Sequence, residues 1–239
     1  MAFVSPWCIA HRGDRHTQPE NTHAAFEAAL THPIDGIELD VRITADNHIV
    51  VFHDVTSACV GGGDRFIANH TLAQLQTLDY GEGEPLPLLD EVLTRYGQRT
   101  HLLLEVKTGD GSESLEQQHH LMLQTIEAIH RYGLEDRTMV LCYDLALLAH
   151  GHHAYRQVRC VLNQDEGKLV DASFLYGYSV DVGGLTPAFV AAAHQAGKPV
   201  YCFTCNSQAQ VDHALACGVD GIMADHPAEL ARRLRSGHC

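Results

Sequence analysis

Residues 36–53 read Gly36-Ile37-Glu38-Leu39-Asp40-Val41-Arg42-Ile43, then Thr44-Ala45-Asp46-Asn47, then His48-Ile49-Val50-Val51-Phe52-His53. Both flanks are rich in β-branched and apolar residues and have the length of strands. The four residues between them cannot carry a parallel crossover, which takes a dozen or more, so the second flank is the return arm of a hairpin. Outward from this hairpin, short apolar runs alternate with longer helical patterns. Parallel strands are expected at 8–11, 36–43, 101–107, 138–143, 158–162, 178–182, 199–204 and 221–224, with 48–53 as the hairpin return. Helices are expected at 22–31, 72–78, 88–96, 115–132, 145–155, 187–196, 208–217 and 227–234. Asn21 is placed to cap the first helix, and Gly133, Gly197 and Gly218 stand where glycine ends a helix before the next strand. Such alternation builds a parallel sheet, wound open or closed into a barrel. Setting the return arm aside leaves eight parallel strands, the number that closes an α/β barrel. The glycine-bearing stretch 54–90, with Gly61-Gly62-Gly63, reads as an irregular elaboration over the barrel mouth. No linker, repeat or low-complexity tract interrupts residues 1–239, which read as a single domain.

The 239 residues suit one such barrel, and a chain of this size buries roughly 70–75% of its unfolded surface without needing a disulfide or structural metal. Sixteen Lys and Arg face 30 Asp and Glu, for a net charge of −14. That balance excludes a general binder of nucleic acid or of anionic membranes, while leaving room for a local basic site that takes a small anion. The 18 histidines would bring the chain to +4 if all were protonated, so its charge should collapse in mild acid. No stretch approaches the roughly 18 apolar residues of a membrane span, and Met1–Cys8 lacks the basic and apolar regions of a signal peptide. The eight cysteines (Cys8, Cys59, Cys142, Cys160, Cys202, Cys205, Cys217, Cys239) are scattered, mostly within apolar runs, which points to a reducing cytosol. Cys202 and Cys205 have the spacing of a redox or zinc pair. On a strand, residues three apart face opposite sides, so a purely structural role is expected for them. His119, His120, His150, His152 and His153 fall in helical stretches and are expected to face solvent, as are His70, His213 and His226.

Core strands of a parallel sheet should be apolar on both faces, so charges inside them need a reason. Here they recur at strand C-terminal ends, where barrels build their sites. The first strand runs into His11 and Arg12. Glu38 and Asp40, two apart, share a face, as do Glu105 and Lys107, and the hairpin return ends in His53-Asp54. Three carboxylates converging at one mouth suit a hard divalent cation, Mg²⁺ or Ca²⁺. Arg12 and Lys107 supply fixed positive charge for an anion, and His11 and His53 offer an acid and a base near neutral pH. This combination describes cleavage of a phosphate ester.

The same residues resemble the glycerophosphodiester phosphodiesterase family. The pattern is carried by Ala10-His11-Arg12-Gly13, Pro19-Glu20-Asn21-Thr22, Ile37-Glu38-Leu39-Asp40-Val41, Val51-Phe52-His53-Asp54, Leu104-Glu105-Val106-Lys107, Thr204-Cys205-Asn206 and Asp220-Gly221-Ile222-Met223-Ala224-Asp225. The resemblance covers nearly the whole chain and implies a TIM barrel of the cytosolic bacterial type. It implies that Glu38, Asp40 and Glu105 hold one divalent cation and that His11 and His53 are the general acid–base pair. It further implies that Arg12 and Lys107 bind the substrate phosphate and that Glu20 and Asn21 support the site. Two departures bear on the alcohol end of a small glycerophosphodiester substrate. The family's Leu-Asp-Arg-Thr-Thr-like stretch after His-Asp is Val55-Thr56-Ser57-Ala58-Cys59 here, and its Trp before Thr-x-Asn is Phe203, a candidate for the alcohol pocket.

On this reading the cation and Arg12 neutralise the phosphodiester while one imidazole deprotonates the nucleophile and the other protonates the departing alkoxide. The nucleophile is water, or the substrate's own neighbouring hydroxyl by way of a cyclic phosphate. The rival readings are a phospholipase-type relative, sphingomyelinase-D-like or inositol phospholipase-like, and a non-catalytic barrel that binds a phosphorylated metabolite. A persistent cyclic product would mark the first; loss of a histidine or carboxylate would mark the second, and none is lost.

Overall fold

A computed structural model describes residues 5–108 and 111–236. Cys239 and residues 1–4 of the segment Met1–Cys8 read above lie outside them. The chain opens with β1 (Trp7–His11), α1 (His23–Leu30) and the hairpin β2 (Gly36–Ile43) and β3 (Ile49–Val51). After two short 3₁₀ turns come α2 (Leu72–Leu75), α3 (Leu89–Tyr96) and β4 (His101–Val106). The second half runs α4 (Leu115–Arg131), β5 (Thr138–Cys142), α5 (Leu145–Ala154), β6 (Arg159–Gln164), β7 (Leu175–Asp181) and α6 (Pro187–Gln195). It ends with β8 (Val200–Phe203), α7 (Gln208–Cys217), β9 (Gly221–Ala224) and α8 (Pro227–Ser236).

Strand order is β1-β9-β8-β7-β6-β5-β4-β2-β3, and β1 also pairs with β2, so the eight parallel strands close on themselves. This is a TIM barrel. The ninth strand, β3, runs antiparallel to β2 with Val41 opposite Val51 and Ile43 opposite Ile49. It is the expected hairpin return, trimmed to its central residues.

The period of two along each strand sorts side chains between two cores. On β2, Ile37, Leu39, Val41 and Ile43 point outward into the large core beneath the helices. Inside the barrel, Ile9, Leu103, Met139, Leu141, Val161, Tyr201 and Met223 pack against one another. The other face of β2 carries Glu38 and Asp40, so the barrel interior turns from apolar to charged toward its C-terminal mouth. A third cluster (Val50, Phe52, Ile67, Leu75, Tyr80, Leu86) anchors the elaboration on the hairpin, and Val51 N donates to Pro87 O at 2.9 Å.

Several local expectations are corrected. Thr22, not Asn21, caps α1: its Oγ1 accepts from Ala25 N at 3.2 Å, and Asn21 sits one residue earlier with φ +58°. β8 stops at Phe203, so Cys202 and Cys205 are not held on opposite faces of one strand; their buried sulfurs lie 3.6 Å apart. The histidines on α4 and α5 do not all face water. His119 and His150 stack at 4.1 Å between these helices, and His150 Nε2 and His152 Nδ1 are buried without a hydrogen-bond partner. His226 likewise packs its ring on His16 at 3.9 Å. By contrast Gly133, Gly197 and Gly218 each follow a helix with φ between +64° and +79°, as a terminating glycine should.

Candidate active site

The charged side chains at the mouth come from inside a strand, as Glu38, Asp40 and Glu105 do, or from a strand end and the loop just past it. Arg12 follows β1 in the left-handed region (φ +59°), a conformation costing a non-glycine residue about 1–2 kcal/mol. Its surroundings impose it: Arg12 N donates to Glu38 O at 2.9 Å and Arg12 O accepts from Asn21 N at 3.0 Å. Gly13 (φ +83°) lets the loop lie against α1, because a Cβ there would meet the Ala25 backbone at 2.7 Å.

Glu38, Asp40 and Glu105 each offer an oxygen, all within 4.8 Å of one another. Asp40 is fully buried and Glu38 is 2% exposed. Around Asp40 the partners are dense. Asn21 Nδ2 donates to Oδ2 at 2.8 Å, Arg12 Nε lies 3.2 Å from Oδ2, and Lys107 Nζ lies 3.2 Å from Oδ1. Burial alone would raise this carboxyl, but Lys107, then Arg12, His53 and the Asn21 bond overcome it and hold Asp40 well below the usual carboxylate range. Glu38 goes the other way. Burial, then the Asp40 and Glu105 carboxylates, push it well above its ordinary value, against the opposing pull of Arg12 and Lys107. Its Oε2 accepts from Arg12 N at 3.2 Å, while Oε1 is buried with no hydrogen-bond partner. An unpartnered buried carboxylate oxygen in a cluster of hard oxygen donors fits a divalent cation. Lys107 also donates to Glu105 Oε1 at 2.7 Å. Burial disfavours charge on Arg12 and Lys107, yet the facing carboxylates, Asp40 foremost, raise both and keep them cationic.

The two histidines are held alike. His11 Nδ1 lies 2.6 Å from Asp225 Oδ1, and Asn206 Nδ2 in turn donates to Asp225 Oδ2 at 2.7 Å. Since a carboxylate only accepts, the proton of this bond belongs on Nδ1, which leaves Nε2 turned toward the carboxylates. That Nε2 is 3.8 Å from Glu38 Oε2. His53 Nδ1 is 2.8 Å from Asp54 Oδ1. Burial lowers the His53 pKa, and Lys107 and Arg12 lower it further against the pull of Asp40, so its ring is neutral near pH 7.

Glu20 bridges two cations, 2.9 Å from Arg12 Nη1 and 2.6 Å from Arg15 Nη2. Phe203, by contrast, packs on the inner core and lines neither cleft beside His53. One cleft, of about 550 Å³, runs between Arg12, Asn21, His53, Cys59 and Tyr80; the other, of about 690 Å³, between Arg42, His53, Glu105, Lys107 and Tyr143. Reasoning from the sequence overlooked Asp225 and Asn206 as partners of His11. The signal was there for Asp225, which directly follows β9 as Arg12 follows β1.

A family model described as "Glycerophosphoryl diester phosphodiesterase family" matches residues 11–229. The chain is 30% identical to a glycerophosphodiester phosphodiesterase of Caldanaerobacter subterraneus subsp. tengcongensis, over 96% of this chain and 98% of that one. It is 31% identical to a glycerophosphodiester phosphodiesterase of Bacillus altitudinis, over 92% of this chain and 94% of that one. Among solved structures, a phosphodiesterase of Oleispira antarctica in complex with the product sn-glycerol-3-phosphate superposes with a TM-score of 0.82. That match is 24% identical and covers 95% of this chain and 96% of the other; at that identity it speaks for the fold.

Proposed function

Because the chain belongs to the glycerophosphoryl diester phosphodiesterase family, we propose that it hydrolyses small glycerophosphodiesters to glycerol 3-phosphate and an alcohol, using one divalent cation, Mg²⁺ or Ca²⁺, and an acid–base pair formed by His11 and His53. The observation that carries this reading is the meeting of Glu38, Asp40 and Glu105 within 4.8 Å, bracketed by Arg12 and Lys107. Glu38, Asp40 and Glu105 would hold the cation, which when bound supplies Lewis-acid neutralisation of phosphate oxygens.

The protein's own groups do the rest. Arg12 and Lys107 bring N–H donors to the phosphoryl oxygens from opposite sides of Asp40. Asn21 and Glu20 keep Asp40 and Arg12 in register. His11, oriented by Asp225, presents Nε2 beside the carboxylates. His53, oriented by Asp54, stands at the junction of both clefts, so one cleft can take the glycerol and the other the alcohol. One imidazole takes the proton of the attacking hydroxyl; the other gives a proton to the leaving alkoxide, which is too basic to depart unassisted. The seven cysteines of the described residues are all free thiols, in keeping with a reaction carried out in the reducing cytoplasm.

The test is hydrolysis of glycerophosphocholine and glycerophosphoethanolamine, followed by ³¹P resonance, with Mg²⁺ or Ca²⁺ and again after chelation. Glycerol 3-phosphate formed only with the cation supports the proposal. Turnover surviving both chelation and Glu38→Ala removes the metal from it, and a cyclic phosphate as end product moves the chain toward the phospholipase relatives.

A further inference from the structure

We infer that Arg42 is a positioning residue for His53, acting through the main chain rather than on the substrate; the inference rests on the reading above that His53 takes part in proton transfer. Arg42 continues the inward face of β2 that already carries Glu38 and Asp40. It is 5% exposed, although an arginine at a barrel mouth could reach water. Its guanidinium is used in two directions instead. Nε donates to the His53 carbonyl at 2.8 Å, and Nη1 donates to Glu113 Oε1 at 3.0 Å.

What that first bond fixes follows from where the hairpin ends. The β2–β3 ladder reaches Val41 opposite Val51, and Phe52 N then donates to Asp40 O at 3.0 Å. One residue further, just past the ladder, His53 O accepts from Arg42 Nε. A strand end would otherwise let the His53 peptide pivot, swinging the imidazole relative to Asp40 and Lys107. The second bond reaches Glu113, just ahead of α4, so Arg42 ties the His53 peptide to the start of that helix.

The chemistry of the side chain favours this role. A guanidinium offers Nε and Nη donors in a rigid plane, so two acceptors at fixed angles can be held at once; a lysine has no equivalent. A buried ion pair contributes little net stability over an apolar pair of the same size. Its worth here is geometric, and a displacement of about 1 Å at a reacting group costs on the order of 100-fold in rate.

The experiment is a double-mutant cycle on glycerophosphocholine hydrolysis with added Mg²⁺ or Ca²⁺. Arg42→Gln is expected to lower kcat about 10- to 100-fold while KM stays within about twofold. In a His53→Gln background the same change should cost less than about threefold, because there is no imidazole left to position. An equal loss in both backgrounds, or a loss carried by KM, overturns the inference and leaves the acid–base reading standing. Full activity of His53→Gln alone overturns both. Should Arg42→Gln unfold, the charge-balanced Arg42→Gln/Glu113→Gln variant replaces it. That variant should recover its melting temperature but not its kcat; recovery of both refutes the positioning role.

Discussion

Glu38→Gln separates cation binding from folding in a single substitution. Glu38 is 2% exposed and shares its site with two carboxylates whose oxygens lie within 4.8 Å. At that distance two unit charges repel by about 3.5 kcal/mol at an effective dielectric near 20. Burial, together with this repulsion, is why the Glu38 carboxyl is pushed up. Glutamine has the size and shape of glutamate without its charge, so in chelator the variant should melt within about 2 °C of the parent. A bound cation reverses the demand, since it needs Glu38 as an ionised ligand. At a cation concentration 100-fold above Kd, binding stabilises the fold by about 2.7 kcal/mol. For a chain of this length that is a rise of roughly 5–11 °C in the parent. The variant should rise by less than about 2 °C at the same concentration. The assay is calorimetric melting in chelator and in millimolar Mg²⁺ or Ca²⁺. A variant that keeps the full cation-dependent rise refutes the role of Glu38, and a parent that shows none with either ion refutes the site.

Asp225→Asn should lower kcat by about 100-fold or more with a small change in melting temperature, since Asp225 is half-buried at the rim and acts by fixing the Nδ1 proton of His11; unaltered turnover would show the pair to be incidental. Asn21→Gly should fold better than Asn21→Ala, because only glycine accepts φ +58° without about 1–2 kcal/mol of strain, while both lose the bond to Asp40 and with it activity. Stability should also fall in mild acid through His150. Burial, then His119 and His153, depress its folded pKa below the value of about 6.5 that the unfolded chain has. The stabilisation is therefore complete above about pH 6.5 and is lost as pH drops through the depressed folded value. Urea midpoints at pH 7.5 and 5.5 should show a smaller drop for His150→Gln than for the parent, and equal drops would refute the assignment.

The barrel was legible because its signals are local. The four-residue connection after Ile43 forces a hairpin whatever the rest of the chain does, and eight apolar runs separated by helical periods leave few other topologies. The carboxylates were legible for a related reason: a charge inside an apolar strand must be explained, and Glu38, Asp40 and Glu105 are such charges. What escaped depended on contacts between distant segments. Asn21 looks like a helix cap by composition, yet its neighbour Thr22 has the hydroxyl and the extended backbone for that role, and Asn21 is drawn instead to Asp40. The two sulfurs of Cys202 and Cys205 were assigned to opposite faces because β8 was carried one residue too far. The stacking of His119 on His150 needs the packing of α4 on α5, to which periodicity within either helix is blind. Arg42 was unremarkable in the sequence because its partners, the His53 carbonyl and Glu113, are a main-chain atom and a loop residue 71 positions away.

The charges at the mouth also suggest an order of binding. Glu38, Asp40 and Glu105, when ionised, set three negative charges against the two of Arg12 and Lys107. These cations are already engaged, Lys107 by Asp40 and Glu105, Arg12 by Asp40 and Glu20. A phosphodiester monoanion arriving first would meet a cluster with no net positive charge to offer. On the proposed reading, a divalent cation turns one excess negative charge into one excess positive charge, which the substrate's single charge then cancels. Carboxylates shared with a cation would hold Arg12 and Lys107 less tightly, leaving their N–H groups to turn to phosphate oxygens. Glycerol 3-phosphate carries a second ionisation near pH 6, so above that pH the product overfills the same balance by one charge. On the proposed reading, a site matched to a monoanion would thus hold its substrate better than its product, which would favour turnover over product retention at neutral pH.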